Sequence, residues 1–589
     1  MDPMPDGKMT PDLEGEQQRR GRLRAYIYAG LLGAALLGLV LALAPWLTAS
    51  RQVEVASRRP IPNTDVNPYG ANFFLSREVE DWKRERTVSM AADAGIYWAK
   101  IQFSWAEIER NGKARRPEDY DWAKYDSIVD LCERYGMRVI ARVDRAPDWS
   151  REDNTVPGRP PDDFNDYGDF IYAFAEHYRG RIDYIQVWNE PNLWTEWGER
   201  PVDAAAYVEL LRIAYTRAKE ANPDVYILSA PLAITLGEPH PQEGKWRAMN
   251  DLEYLEEMYL AGVKPYFDIL SANAFGMELP PEDPPGPETL NFQRVVLQRQ
   301  IMERFDDGNK AVWFNEFGWN ASPASFSEEK LTWGRVDEER QAEYALRAIE
   351  MARQQWPWAG VFNLWYFRQV GDMPPDQAEH YFRVVDVDFT PRRIYYAVKD
   401  AARSLTTAGP GYHEETSPGV AWGPGWRNAI LRQASGGAAV VAEQPDATLT
   451  FSFKGDGVTL IAPRDSRSGL LYVSLDGKRV PGLPVDGEGH SYIDLYSPDV
   501  QWQAELPLVR GLGDTQHVLR LTSSGKRNAE SRDARCAVDA FVVAVANPPA
   551  FPILAVALFF GVAAFSGAGL YRGTRPQRKR ETENVISET

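Results

Sequence analysis

From Tyr69 to about Thr407 the sequence repeats one alternation, a short apolar run followed by an amphipathic stretch and a turn. The apolar runs are Tyr69–Phe74 (YGANFF), Ala99–Phe103 (AKIQF), Arg138–Val143 (RVIARV), Tyr184–Trp188 (YIQVW), Val225–Ala230 (VYILSA), Phe267–Ala274 (FDILSANA), Ala311–Phe314 (AVWF) and Gly360–Trp365 (GVFNLW). They read as buried strands. Between them, stretches such as Tyr125–Tyr135, Tyr207–Ala221 and Glu338–Gln354 carry apolar residues at a spacing near 3.6 and are bounded by Gly, Pro or Asn, as helices are. Eight strands alternating with helices over about 340 residues predict a closed (β/α)8 barrel with insertions, an α/β fold. The competing open, doubly wound sheet normally carries a Gly-rich phosphate turn after its first strand, and none is present.

Around Gly409-Pro410-Gly411 the helical period disappears. Short alternating strands replace it at Ala447–Phe453, Gly457–Ile461, Leu470–Leu475, His517–Thr522 and Ala537–Val545. Turn signals such as Lys454-Gly455-Asp456-Gly457 and Asp476-Gly477 separate them. The expected organisation is a barrel over residues 64–407 followed by an all-β sandwich of jelly-roll type over 411–547.

Two uncharged runs bracket these domains, Ala25–Leu47 and Phe551–Tyr571, each long enough to span a ~30 Å hydrocarbon core as a helix. Arg19, Arg20, Arg22 and Arg24 precede the first; Arg572, Arg575, Arg578, Lys579 and Arg580 follow the second. Positive-inside reasoning places both tails, 1–24 and 572–589, in the cytoplasm and everything between the helices outside it. The tails sum to 0 and +2, so the segment between them holds −20 against a chain total of −18. A cleaved signal peptide is the alternative for the first run, with Ala42-Leu43-Ala44 as a cleavage site, but Pro45 would follow the cut.

That acidic balance disfavours a nucleic-acid partner, which calls for a dense basic face. Only two cysteines are present, Cys132 and Cys536, too few for a disulfide framework or a Cys-ligated zinc site. The six histidines are scattered, with no pair at metal-ligand spacing, and no metal or organic cofactor is expected. No G-x-S-x-G and no G-x-x-x-x-G-K-[ST] occurs, which disfavours a serine hydrolase and a P-loop NTPase. Aromatics are abundant instead, with 19 Trp, 27 Tyr and 24 Phe, and these suit flat apolar platforms for sugar rings.

Two carboxylates stand out by position. Glu190 follows the fourth strand in Val187-Trp188-Asn189-Glu190-Pro191-Asn192, and Glu316 follows the seventh in Trp313-Phe314-Asn315-Glu316-Phe317-Gly318-Trp319. In a (β/α)8 barrel the C-terminal strand ends converge on one mouth, so these two face each other across it. At ~5–5.5 Å apart such a pair performs retaining glycoside hydrolysis, one member as acid/base and the other as nucleophile. Their mutual repulsion raises the acid's pKa.

At these residues the chain resembles clan A glycoside hydrolases, family 39 most and family 5 next, over roughly Asn67 to Leu405. Trp188-Asn189-Glu190-Pro191-Asn192 looks like the WNEPN acid/base signature, and Trp313 to Trp319 resembles the clan's nucleophile strand. The resemblance implies Glu190 as acid/base, Glu316 as nucleophile, Asn189 on the sugar 2-hydroxyl and Trp365 as sugar platform. Trp105, Trp149, Trp194, Trp197 and Trp319 are further candidates for substrate contact. Two departures accompany it. Lys100 stands where many members have an Arg near the nucleophile. Asn273-Ala274-Phe275 stands where many have His-x-Tyr, so the tyrosine hydroxyl is missing, and Asn273 joins Lys100 among the candidate substrate-binding residues. The sandwich resembles modules that accompany secreted glycosidases, with Trp422, Trp426 and Trp502 as sugar-site, core or interface residues.

The expectation is a bacterial, two-pass membrane protein whose extracytoplasmic barrel cleaves a β-linked glycan by a two-carboxylate double displacement. Its expected partners are carbohydrate and the lipid bilayer. A lectin-like platform with weakened catalysis is the rival, motivated by Lys100 and Phe275; a surface scaffold is a second.

Overall fold

A computed structural model of the chain describes residues 13–54, 61–241, 245–371, 373–544 and 551–574. The eight apolar runs form β1 (Tyr69–Phe73), β2 (Trp98–Ser104), β3 (Arg138–Asp144), β4 (Tyr184–Val187), β5 (Tyr226–Leu228), β6 (Ile269–Phe275), β7 (Ala311–Gly318) and β8 (Ala359–Leu364). All neighbours are parallel, and the sheet closes in the order β1-β8-β7-β6-β5-β4-β3-β2. Helices follow the strands, among them Phe164–His177 after β3, Ala204–Ala221 after β4 and Glu338–Gln355 after β7. Asp163, Asp203 and Asp337 cap these three by accepting from a backbone N–H of the first turn, which stabilises each by about 1 kcal/mol.

Strand alternation divides the barrel interior into an apolar floor and a polar mouth. At the N-terminal end, Trp98, Ile140, Tyr184, Tyr226, Ile269, Trp313 and Val361 form one buried cluster. Trp313 packs its ring against Trp98 (5.1 Å between centroids) and Tyr184 (4.7 Å). The indole N–H groups of Trp98 and Trp313 donate to the Asn67 and Asn63 carbonyls, in the segment running beneath the barrel. One turn higher the inward residues become polar: Asn72, Lys100, Gln102, Arg142, Asp144, Gln186, Asn273 and Asn363. Gly70 leaves the space that Asn363 uses, since a Cβ there would lie 2.2 Å from Asn363 Oδ1.

The β7 strand is longer than the apolar run that announces it. The ladder with β6 shifts register between Ala272 and Asn273, and the ladder with β8 shifts as well. Pairing therefore continues past Phe314 to Gly318, and Glu316 lies within the strand rather than after it.

The C-terminal β region forms antiparallel sheets around its own core. A four-stranded sheet (Gly411–Glu414, Ala540–Ala544, Gly457–Arg464, Gln501–Arg510) faces a larger one that includes Thr448–Lys454, Gln516–Ser523 and Leu470–Leu475. Phe451 and Phe541 stack between them at 4.3 Å. A third, three-stranded sheet (Trp426–Ile430, Ala438–Ala442, Cys536–Val538) reaches the barrel floor. There the backbone N–H of Ile430 donates to Asp224 Oδ1 at 2.8 Å, Asn428 donates to the Asp224 carbonyl, and Ala438 joins the floor cluster. The Arg138 guanidinium lies 4.1 Å over the Trp422 ring, in a groove of about 650 Å³ between the two domains. The β domain is thus docked on the end of the barrel opposite the polar mouth. Trp426 is buried, whereas Trp502 is exposed.

The two uncharged runs are helices, Leu13–Glu54 and Ile553–Thr574. The first extends well beyond the expected Ala25–Leu47 into polar residues at both ends. Their segments Arg19–Ala44 and Ile553–Arg572 are long and apolar enough to cross a membrane. The helices pack antiparallel as a compact unit of their own. Tyr28 meets Phe565 edge-on at 6.0 Å and lies over Gly569, while Gly38 faces the Phe559 ring, and neither glycine has room for a Cβ. The expected tail residues 1–12 and 575–589, with Arg575, Arg578, Lys579 and Arg580, lie outside the described residues.

Candidate active site

The turn that ends β4 holds Glu190 in a fixed place. Trp188 is buried against Tyr167 and Trp197, and the Trp188 carbonyl accepts from Gln186 Nε2 at 2.8 Å. Trp188 and Glu190 both have positive φ, 72° and 39°, which non-glycine residues adopt only when surroundings over-determine them. The surroundings do. The Glu190 N–H donates to the Pro231 carbonyl, and Asn192 ties the turn to the segments beyond β5 through Ala233 N, Ala233 O and Met249 O. The Asn-Glu-Pro-Asn sequence thus builds a strained, pinned turn that presents a carboxyl at the mouth.

Across the mouth, the register shift at β7 sets a cluster of asparagines. Asn72 donates to the Asn315 carbonyl at 3.0 Å, and Asn363 to the Phe314 carbonyl at 3.0 Å, so carbonyls at the irregular stretch are satisfied from β1 and β8. Asn315 Nδ2 donates to Asn273 Oδ1 at 2.9 Å, and Asn273 Nδ2 donates to Glu190 Oε1 at 2.6 Å. Asn273 pairs with Glu316 in the β6–β7 register, so the residue that hydrogen-bonds Glu190 is the strand neighbour of Glu316. Lys100, buried on β2, places its Nζ 3.6 Å from Glu316 Oε1.

The electrostatics separate the ionisable groups. Burial pushes the Glu190 carboxyl well above the usual carboxylate range, and the charges of Glu316 and Glu196 push it the same way. The Arg142 charge and the Asn273 hydrogen bond oppose that rise without cancelling it. Burial pulls the Lys100 ammonium down to about 8 against the attraction of Glu316, with the Arg142 charge adding to the fall. The result is a proton-holding carboxyl in the turn after β4, with the Lys100 ammonium facing Glu316 on β7.

The aromatic candidates divide. Trp365, at the end of β8, is partly exposed and meets Phe74 edge-on at 5.8 Å. It belongs to a cluster at the mouth with Phe275, Tyr366 and Phe382, against which Trp333 and Met277 also pack. Trp194 is partly exposed and stacks on His240 at 4.4 Å. Trp105 and Trp319 are no cleft walls, because both rings are fully buried. The indole of Trp105 donates to Glu109 and stacks on Phe170; that of Trp319 donates to the Leu279 carbonyl and packs on Phe292. Trp197 is buried as well, and Trp149 is tied to the Glu109 carbonyl. Asn189 is buried beside Glu190, its Oδ1 without a hydrogen-bond partner among the described residues.

Three neighbours of the carboxylates escape a reading of the motifs. Asp144 accepts from Gln102 Nε2 at 2.7 Å and from Arg142 Nε at 2.5 Å, and the Arg142 charge reaches both Glu190 and Glu316. The signal was present as polar residues alternating inside apolar strands, Lys100-x-Gln102 and Arg142-x-Asp144. In barrel and motif placement, the chain resembles a clan A glycoside hydrolase.

No family model matches the chain, and no curated protein matches it. Among solved structures, it is similar to a family 39 glycoside hydrolase from the gut symbiont Bacteroides cellulosilyticus, at 19% identity and TM-score 0.43 over 78% of this chain and 81% of that one. A monomeric β-xylosidase from Caulobacter crescentus aligns at 15% identity and TM-score 0.42, over 79% of this chain and 98% of that one. A glucosidase from Croceicoccus marinus aligns at 11% identity and TM-score 0.42, over 80% and 99%.

Proposed function

We propose that the protein is a retaining glycoside hydrolase that cleaves a β-linked glycan with Glu190 as acid/base and Glu316 as nucleophile. The observation that carries this reading is the pair itself: a carboxyl with a raised pKa in the turn after β4, hydrogen-bonded by Asn273, and a second on β7, faced by the Lys100 ammonium at 3.6 Å. In the first step, protonated Glu190 donates to the glycosidic oxygen as Glu316 attacks the anomeric carbon, which releases the leaving sugar and forms a glycosyl ester. In the second, Glu190, now a carboxylate, takes a proton from water, and that water cleaves the ester. Lys100 keeps the Glu316 oxygens oriented. The unpartnered Asn189 Oδ1 is an acceptor for the 2-hydroxyl of the sugar, and Trp365 offers it an apolar face.

We place this barrel outside the cytoplasmic membrane of a bacterial cell, anchored by Arg19–Ala44 and Ile553–Arg572 with both tails inside. The antiparallel contact of the two helices supports a hairpin whose ends share one side.

The test is release of reducing ends by the full chain in detergent, across β-glycans and aryl β-glycosides, with Glu190→Ala and Glu316→Ala beside it. Proton NMR of the first-formed product reports its anomeric configuration. Loss of activity in Glu316→Ala with retained configuration in the wild type supports the reading; inverted product overturns it. Phe275, packed in the aromatic cluster, brings no hydroxyl to Glu316 and favours a second reading, a glycan-binding platform. Tight glycan binding with no turnover by the wild type would select it.

A further inference from the structure

The proposed hydrolase reading leaves the sugar unnamed, and the charge around the mouth bears on it. The segment between the two apolar helices is strongly acidic, yet three arginines stand at the mouth ends of β1 and β3, and the charge of one, Arg142, reaches both carboxyls. Arg142 projects from the mouth-facing side of β3, braced by Asp144. Arg145 follows β3 directly and is exposed, its Cδ and the near side of its guanidinium packed over Gly158. Arg77 follows β1 and is exposed, its guanidinium 4.7 Å from the centre of the Phe74 ring. Phe74 in turn meets Trp365 edge-on, so Arg77 stands beside the expected sugar platform. Strand β2 lies between β1 and β3, with Phe73 opposite Ile101 and Ser104 opposite Asp144, so Arg77 and Arg145 leave strand ends two strands apart on the same rim of the barrel.

Their pairing sets them apart from the other arginines of the same loops. Arg151, Arg159 and Arg200 each form an ion pair, with Asp148, Asp153 and Asp162. Arg142 is committed to Asp144 and feels Glu196 and Glu316. Arg77 and Arg145 have neither an ion pair nor a side-chain hydrogen bond among the described residues. Two guanidinium groups without ion pairs at the mouth ends of β1 and β3, with a third on β3, form a site for an anion. Arginine's planar fork matches a carboxylate in particular.

We propose that Arg77 and Arg145, with Arg142 behind them, bind a carboxylate on the sugar ring next to the scissile bond, so that the substrate is a β-glycan containing uronic acid. A sulfate or phosphate ester presents similar anionic oxygens, and the experiment separates these sources.

The full chain carrying Glu316→Gln, purified in detergent, is titrated calorimetrically with a β-linked oligouronide. The same oligosaccharide with its carboxyls reduced to primary alcohols is the control, and sulfated and phosphorylated β-glucans run in parallel. The expected result is roughly tenfold or more tighter binding of the oligouronide than of its reduced form. That preference should shrink as salt rises and vanish when Arg77→Gln and Arg145→Gln are added together, with binding of the reduced form unchanged. Equal binding of the acidic and reduced forms would overturn the proposal, as would an acidic preference that survives the double substitution. Tighter binding of the sulfated or phosphorylated glycan than of the oligouronide would overturn the carboxylate assignment. Because the readout is binding by a variant without the nucleophile, it stands apart from turnover. A wild type that binds the oligouronide through these arginines but never cleaves it would defeat the hydrolase reading and leave this one intact.

Discussion

The Asn273 carboxamide donates to Glu190 Oε1 at 2.6 Å, joining β6 to the turn after β4 across the barrel mouth. This bond stabilises the ionised form of Glu190, and so works against the burial and neighbouring charges that keep it protonated. The same side chain accepts from Asn315, the residue before Glu316, at 2.9 Å.

Replacing Asn273 by Ala removes a donor to the carboxylate form, so the Glu190 pKa should rise further. The alkaline limb of kcat/KM should then move to higher pH, while kcat at its optimum falls roughly tenfold through lost orientation. A pH–rate profile on an aryl glycoside reads both. An unmoved alkaline limb would mean that Asn273 does not act on the acid.

Lys100 is charged in the unfolded chain up to about its ordinary pKa of 10.5, but in the fold burial lowers it to about 8. The sign follows: below pH 8 its buried ammonium costs stability, and that cost is relieved as pH rises from about 8 toward 10.5. Activity should move the other way, falling above pH 8 as Glu316 loses its facing charge. Lys100→Met should lower kcat by more than tenfold and destabilise the fold by about 3 kcal/mol at neutral pH, because the buried Glu316 side chain loses the charge that faces it. Lys100→Arg keeps the charge and should extend activity to higher pH. Thermal melts and pH profiles of the two variants check this.

Trp365 and Trp319 should respond differently to truncation. Trp365→Ala removes a partly exposed ring at the mouth and should raise KM severalfold with little change in melting temperature. Trp319→Ala empties a fully buried site and should cost about 3–5 kcal/mol, seen as a lowered denaturation midpoint. Equal effects of the two on KM would contradict the division between cleft wall and core.

Asp224 joins the barrel floor to the β domain through the Ile430 N–H and the Arg427 guanidinium. Asp224→Ala leaves that half-buried N–H unpaired and should cost about 1 kcal/mol. Faster limited proteolysis between residues 404 and 411 should accompany it, with kcat unaffected because the carboxylates lie at the opposite end of the barrel.

Much of this architecture is legible before any coordinates. Strand and helix periods are local properties of side-chain placement, so the eight apolar runs map onto β1 to β8 with shifts of only a few residues at most ends. The largest discrepancy is β7, where a register shift that no local pattern announces carries pairing on to Gly318 and takes Glu316 into the strand. The two uncharged runs were equally plain, although the first helix continues beyond them, because helical hydrogen bonds do not require apolar side chains.

Local pattern alone specifies the alternation that closes a barrel, the change to an all-β texture after Gly411, and the placement of two glutamates near the C-terminal ends of the fourth and seventh strands. Each depends on residues that are neighbours in the chain. Only the tertiary structure decided which tryptophans are walls and which are core, because strand ends alike in sequence send Trp365 to the mouth and Trp319 against Phe292. It also decided that Glu190 finds its partner 83 residues away in Asn273, and that Lys100 faces Glu316. Arg77, Arg142 and Arg145 were brought together in the same way, from two strand ends separated in sequence. Contacts of this kind arise from closure of the sheet and from the direction each side chain takes at a bulge or a strained turn, and neither is encoded in any short window of residues.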